Sequence, residues 1–216
     1  MVRWFACCLI SCLGLVSSAR AIDDKIERIP AQILVENLKG TLAAAGVEDV
    51  RSINQSGFEL IKEFETWQPK PYNDAANYCT IGFGHILALQ PCEIIDTEKY
   101  SNGISLDEGL SLLEADSRYA RAAVERLTQR YLNDDQYSAI VAFVFNVGSE
   151  RFQSSKMLSL INEGEFSSAA LEFAKWTKLG GKVVRSLVIR RSCERTLYES
   201  RLTLGADGTL AVSSCS

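Results

Sequence analysis

Glu65, Asp74 and Thr80 fall within one short segment, nine and then six residues apart. Two carboxyl groups and a hydroxyl at this separation are the raw material of general acid/base chemistry. Hydrolysis of a glycosidic bond needs one carboxyl protonated, to donate to the leaving oxygen, and one ionised, to activate water. Glu65 ends an apolar helical run beside Phe64 and Trp67. A carboxyl shielded there has a raised pKa and keeps its proton. Asp74 sits in a Tyr-Asn-Asp turn and is expected to be more solvated and ionised. Thr80, on the strand that follows, is placed to hold a water against Asp74. Spacing alone does not single out this set. The chain holds 27 acidic residues, and Glu59 and Glu63 lie on the same helix as Glu65.

A helix before Glu65 and a hairpin after it must position these groups. Ser56 reads as the N-cap of a helix from about Gly57 to Thr66, with Phe58, Ile61 and Phe64 apolar and Pro69 and Pro71 ending it. Residues 72–84 are aromatic, β-branched and glycine-bearing, and read as a small β-hairpin. Ser105 and Glu108 form a capping box opening a helix to about Leu127, with Leu110, Leu113, Ala120 and Val124 inward. Asp134-Asp135 opens the next helix. Its run from Ala139 to Phe145 is apolar on every side, which marks a buried central helix ended by Gly148. Further helices are expected over 151–162, 165–177 and 183–202, the last with Val184, Leu187, Val188 and Leu197 inward. The fold class is α+β: a small β-hairpin lobe beside a mainly helical lobe. A cleft between such lobes suits a long polymer.

The remainder of the chain sets the context. Arg3, an apolar run from Trp4 to Val16 and Ala19-Arg20-Ala21 read as a signal peptide over 1–21. The run is short for a membrane span, so no stable membrane insertion is expected after cleavage. The expected product is secreted or periplasmic and monomeric. Residues 22–52 form an N-terminal extension, 53–203 the main domain, and 204–216 a tail that is loose except at Cys215. Four cysteines survive cleavage: Cys79, Cys92, Cys193 and Cys215. Two disulfides among them admit three connectivities, of which the local one, Cys79 with Cys92 and Cys193 with Cys215, is preferred. One histidine and widely spaced cysteines give no zinc signature, and nothing calls for a metal or another cofactor. Without Arg3 and Arg20 the chain has 21 basic against 27 acidic residues, which argues against nucleic acid as a partner. Residues 175–195 run the other way, with seven basic residues and one acid, and suit an anionic polymer.

Residues 56–85, SGFELIKEFETWQPKPYNDAANYCTIGFGH, closely resemble the active-site region of the phage-type lysozymes (endolysins), glycoside hydrolase family 24. That family carries a Glu, an Asp nine residues on and a Thr six further, in a TIGxGH context; here these are Glu65, Asp74 and Thr80. Phe145-Asn146-Val147-Gly148 resembles its F-N-x-G. Trp176, Gly180-Gly181 and Leu187-x-x-Arg190-Arg191-x-x-Glu194 resemble its W…GG…GLxxRRxxE. The resemblance spans residues 53–200. It implies a lysozyme-like fold and hydrolysis of the β-1,4 bond between N-acetylmuramic acid and N-acetylglucosamine in peptidoglycan, by an inverting mechanism. It also implies an ion pair of His85 with Asp116. Asn146, Trp176, Arg185 and Arg190 are candidates for contacting substrate. For Trp176 packing in the core is the commoner role, for Arg185 solvated charge, and Asn146 can equally cap the turn at Gly148. Arg190 and Arg191 lie on adjacent helix faces, so at most one is expected to face the cleft. The chain departs from the family at Thr66 and Ser186, where glycine is usual. A non-catalytic peptidoglycan-binding relative, a transglycosylase and a helical interaction protein using the basic stretch are the alternatives.

Overall fold

The computed structural model describes residues 50–74 and 76–215. The expected signal peptide and the expected extension up to residue 49 lie outside the described residues.

Helix α1 (Gln55–Phe64) is capped by Asn54 and not by Ser56. The Asn54 side chain accepts from the Gly57 N–H at 2.9 Å. The choice is made by contacts far along the chain. Asn54 donates its backbone N–H to Ser138 Oγ at 2.9 Å and its side-chain amide to Asp135 at 2.7 Å. A Cβ on Gly57 would lie 2.5 Å from Ser138 Cβ, so the glycine is what lets the two helices approach.

The expected hairpin is a three-stranded antiparallel sheet, β1 (Gln68–Asn73), β2 (Cys79–Gly82) and β3 (His85–Ala88), in that order. It starts earlier than expected and adds a strand after the Phe83-Gly84 turn, where Gly84 has φ 88°. The central strand β2 is buried throughout. Trp67 packs on Phe83 with ring centroids 4.9 Å apart.

Helix α2 (Leu106–Leu127) opens with the Ser105/Glu108 capping box and touches both the sheet and the next helix, so it joins the two lobes. Helix α3 (Asp134–Val147) opens with an Asn133/Gln136 box and is buried without a break from Tyr137 to Val144. Phe143 is its hub: Phe152, Phe173 and Trp176 meet its ring at 6.4, 5.5 and 5.2 Å, all edge-on. A buried side chain of this size contributes about 1.5–3 kcal/mol through burial.

The helix expected over 151–162 is two, α4 (Ser149–Gln153) and α5 (Lys156–Glu163). Ser155 breaks the run because its hydroxyl accepts from the Leu158 N–H at 3.1 Å and caps α5. Helix α6 (Phe166–Glu172) stops short of 177, passes through one tighter turn at Phe173–Lys175, and gives way to a hairpin of β4 (Lys178–Leu179) and β5 (Lys182–Val183). Gly180 and Gly181 make its turn with φ 54° and 77°, a conformation that favours glycine. The last helix, α7, spans Arg185–Tyr198, shorter than 183–202. Leu197 is in the core, but Val188 is 42% exposed and faces solvent.

The tail is packed, not loose. Leu204 bridges to Leu210, and Leu210 and Cys215 are buried against the helical core. Cys193–Cys215 fastens it, with a sequence separation of 22. A loop of that size is worth about 3 kcal/mol in the chain-entropy account. Among the described residues no helix is long and apolar enough to cross a membrane.

Candidate active site

Glu65 is the C-cap of α1. Its N–H still donates to the Ile61 carbonyl at 3.1 Å, but its backbone is extended (φ −103°, ψ 116°) and turns the chain toward β1. The carboxyl therefore sits where the helical lobe passes into the sheet, with 18% of the side chain exposed. Burial pushes its pKa above the usual carboxylate value, and Arg190 pulls it partly back.

Arg190 comes from α7 and is 4% exposed. Its Nη1 donates to Glu65 Oε1 at 3.0 Å and its Nε to Glu194 Oε1 at 3.2 Å. The Phe64 ring lies 5.5 Å from the guanidinium carbon. Glu194 is fully buried, and its second oxygen faces Arg191 Nε at 3.1 Å. That contact is close enough for charge attraction but misaligned for a hydrogen bond. Burial pushes the Glu194 carboxyl up and the two arginines pull it back. Burial likewise lowers Arg191, against the support of Glu194. Arg191 Nη2 donates to Asn146 Oδ1 at 2.6 Å. Both arginines are thus buried and bonded inward, and of the two it is Arg190 that reaches Glu65. Adjacent helix positions suffice because Glu194, three and four residues on, receives both.

Asp74 follows β1 in a turn built on its own side chain. Its Oδ1 accepts from the Ala76 and Tyr78 N–H groups at 2.8 and 2.9 Å, an Asx arrangement that holds the carboxyl still. Among the described residues no donor is bonded to Oδ2. Thr80 is 2% exposed in β2, and its Oγ1 donates to the Tyr78 carbonyl at 3.1 Å. Tyr72 lies directly across from Thr80 in the β1–β2 register, which places both side chains on one face of the sheet. Burial raises the Tyr72 pKa, and the charges of Asp74 and Glu65 raise it further. Tyr72 therefore lies in the field of both carboxyls. Sequence reasoning passed over it, although its place two residues before Asp74 in an extended run was a legible sign.

The other singled-out residues are elsewhere in the network or outside it. Asn146 joins through Arg191, at the last turn of α3. Trp176 is half-buried edge-on to Phe143. Arg185 is exposed at the first position of α7, and its ion-pairing neighbours are none among the described residues. His85 Nδ1 meets Asp116 Oδ2 at 3.0 Å and ties β3 to α2. Cys79 and Cys92 are bridged, beside Thr80. Of the basic stretch, Lys175 pairs with Glu172 and Arg195 with Glu199. Among the described residues no group of three or more His, Cys, Asp or Glu is arranged to hold a metal ion. Thr66 and Ser186, where the resemblance has glycine, are both exposed and outside the positive-φ region, so neither strains the backbone beside the site.

Comparison with known proteins identifies the family. The profile of the Phage lysozyme family matches residues 62–194, and the chain belongs to that family. An endolysin of Bacillus phage B103 is 39% identical over 150 residues, covering 68% of this chain and 54% of that protein. The chain thus spans about half the length of that Bacillus phage relative. An endolysin of Acyrthosiphon pisum secondary endosymbiont phage 1 is 32% identical over 152 residues, covering 68% of this chain and 98% of that one. Among solved structures, the muramidase domain of SpmX from Asticaccaulis excentricus superposes with a TM-score of 0.59 at 29% identity, covering 68% of this chain and 97% of that one. The fold is accordingly the lysozyme-like α+β fold.

Proposed function

We propose that this protein is a lysozyme that hydrolyses the β-1,4 bond between N-acetylmuramic acid and N-acetylglucosamine in peptidoglycan, with Glu65 as the general acid. The observation that carries the proposal is the Glu65 carboxyl: shielded at a helix end, raised in pKa by burial, and faced by a buried arginine. Such a group holds its proton until a leaving oxygen takes it. The carboxylate left behind is then steadied by Arg190, 3.0 Å away. As the glycosidic bond breaks, positive charge develops on the sugar, and Asp74 is the anion available to it. Asp74 and Thr80 together orient water toward the anomeric carbon. A hydroxyl residue in place of a second nucleophile favours inversion of configuration. Tyr72, in the field of both carboxyls, is a further group that could hydrogen-bond sugar or water.

The reading extends to the whole chain. Residues 1–21 direct export and 53–203 form the catalytic domain, acting as a monomer in the periplasm or outside the cell. Two disulfides fit an oxidising compartment. The substrate is the glycan strand of the cell wall, and no cofactor takes part. Anomeric analysis of the first-formed sugar by NMR tests the stereochemistry: inverted product supports the scheme, and retained product contradicts the role given to Thr80. An anhydro sugar in place of a reducing end would move the protein to the transglycosylases.

A further inference from the structure

The buried stripe of α7 carries three charges where an ordinary core helix would carry apolar side chains. Arg190, Arg191 and Glu194 are all buried, and Glu194 has no exposed surface. Ions of this kind are costly to desolvate, and apolar side chains of similar volume often serve a core equally well. Their geometry is ordered. Reading outward from the site, Glu65, Arg190, Glu194 and Arg191 alternate in sign, at 3.0, 3.2 and 3.1 Å between successive partners. The chain ends on the Asn146 side-chain oxygen at 2.6 Å.

We propose that Glu194 is a positioning residue: it holds Arg190 between two carboxylates and thereby sets how firmly Glu65 keeps its proton. This rests on the reading of Glu65 as the general acid. Arg190 is a shared cation. Its Nε is committed to Glu194 and its Nη1 to Glu65, with the Phe64 ring and the Ala142 carbonyl closing the remaining sides. With Glu194 present, Glu65 meets a cation already half-neutralised. Without it, Arg190 would turn its whole charge on Glu65, which would then ionise at lower pH and have no proton to give. The second oxygen of Glu194 faces Arg191, which pins the end of α3 through Asn146. The charged group facing Glu65 is Arg190 from α7, and Tyr72 from β1 lies in the field of the Glu65 carboxyl. Those facing Glu194 are Arg190 and Arg191 on its own helix.

The test is the pH dependence of kcat/KM for wild type, Glu194→Gln, and the double variant Glu194→Gln/Arg191→Gln, with Glu65→Gln as the blank. Two charges separated by one guanidinium, roughly 7 Å, shift each other by about 1.7 pH units at the effective dielectric of protein sites. Glu194→Gln is therefore expected to move the alkaline limb down by about 1.7 pH units, a roughly fiftyfold loss of activity above the limb with little change on the acid side. The double variant removes one buried charge of each sign and is expected to fold if the single variant does not, with a limb displaced in the same direction. An unshifted limb in a folded variant overturns the proposal. Loss of folding in both variants also overturns it, by assigning Glu194 to the core alone. An inactive wild type, or wild-type rates from Glu65→Gln, removes the acid itself and overturns both readings, an outcome visible before any limb is compared.

Discussion

Replacing Cys79 and Cys92 together by alanine separates the stability of the sheet lobe from its geometry. The bridge spans a sequence separation of 13. Loop-closure entropy for a loop that long amounts to about 3 kcal/mol at room temperature. In a domain of this size each kcal/mol moves Tm by about 2–4 °C, so the double variant should melt roughly 6–12 °C lower. The folded geometry should change much less, because hydrogen bonds hold the same loop independently. Cys79 N–H donates to the Gln90 carbonyl at 2.8 Å. Asn73 Oδ1 accepts from the Cys92 N–H at 2.8 Å, and its amide donates to Glu93 at 3.0 Å. These contacts flank Asp74 and Thr80 and survive loss of the sulfurs. The assay is a thermal melt followed by circular dichroism, with hydrolysis measured at 25 °C where the variant is still folded. The expected result is the lowered Tm with activity retained within a few-fold. A Tm unchanged within 1–2 °C would refute the loop-entropy argument. Activity lost in the folded variant would show that the hydrogen bonds alone do not hold the hairpin.

Three further outcomes follow from other contacts. Gly109→Ala gains about 1 kcal/mol in helix propensity, but its Cβ would lie 2.1 Å from Trp67 Cζ3, so net destabilisation of about 1–3 kcal/mol is expected by urea titration, with altered Trp67 fluorescence. Phe143→Ala removes the ring that Phe152, Phe173, Trp176 and Arg191 all meet, and should cost about 3–5 kcal/mol in the same experiment. Glu65 binds its proton more tightly folded than unfolded, so its contribution to stability is present at low pH and is lost as pH rises from its ordinary value of 4.5 through the raised folded value. Melts of Glu65→Gln and wild type should therefore differ little near pH 4, and the variant should become relatively more stable toward pH 8; a gap that narrows with rising pH would contradict the sign.

The candidate triplet could be picked out because Glu65, Asp74 and Thr80 are close in sequence and lie on elements whose local signals are strong. The capping box at Ser105 and the apolar run of α3 were legible for the same reason. What escaped was decided at a distance. Ser56 is a fair cap on local chemistry, but Asp135 and Ser138 reach back to Asn54 and move the helix start. Val188 satisfied a helical period, yet the inward stripe of α7 is taken by Arg190, Arg191 and Glu194, and a period counted in apolar residues cannot see a buried ion network. The tail looked loose because its residues are small, but Leu210 and Cys215 find the helical core. Gly180-Gly181 was a hairpin signal of the plainest kind, obscured because the strands beside it are only two residues long, too short to show an alternating pattern. Tyr72 escaped because a tyrosine on a strand has many ordinary uses, and its place near Asp74 gains meaning once the register sets it opposite Thr80.

The central claim is that Glu65 protonates the leaving oxygen of a peptidoglycan glycosidic bond. The direct measurement is mass spectrometry of soluble muropeptides released from purified peptidoglycan by the oxidised protein, wild type beside Glu65→Gln, with folding of both verified by circular dichroism. Muropeptides with reducing N-acetylmuramic acid ends from wild type and none from the variant are expected. No soluble product from folded wild type, or equal product from Glu65→Gln, would contradict the account.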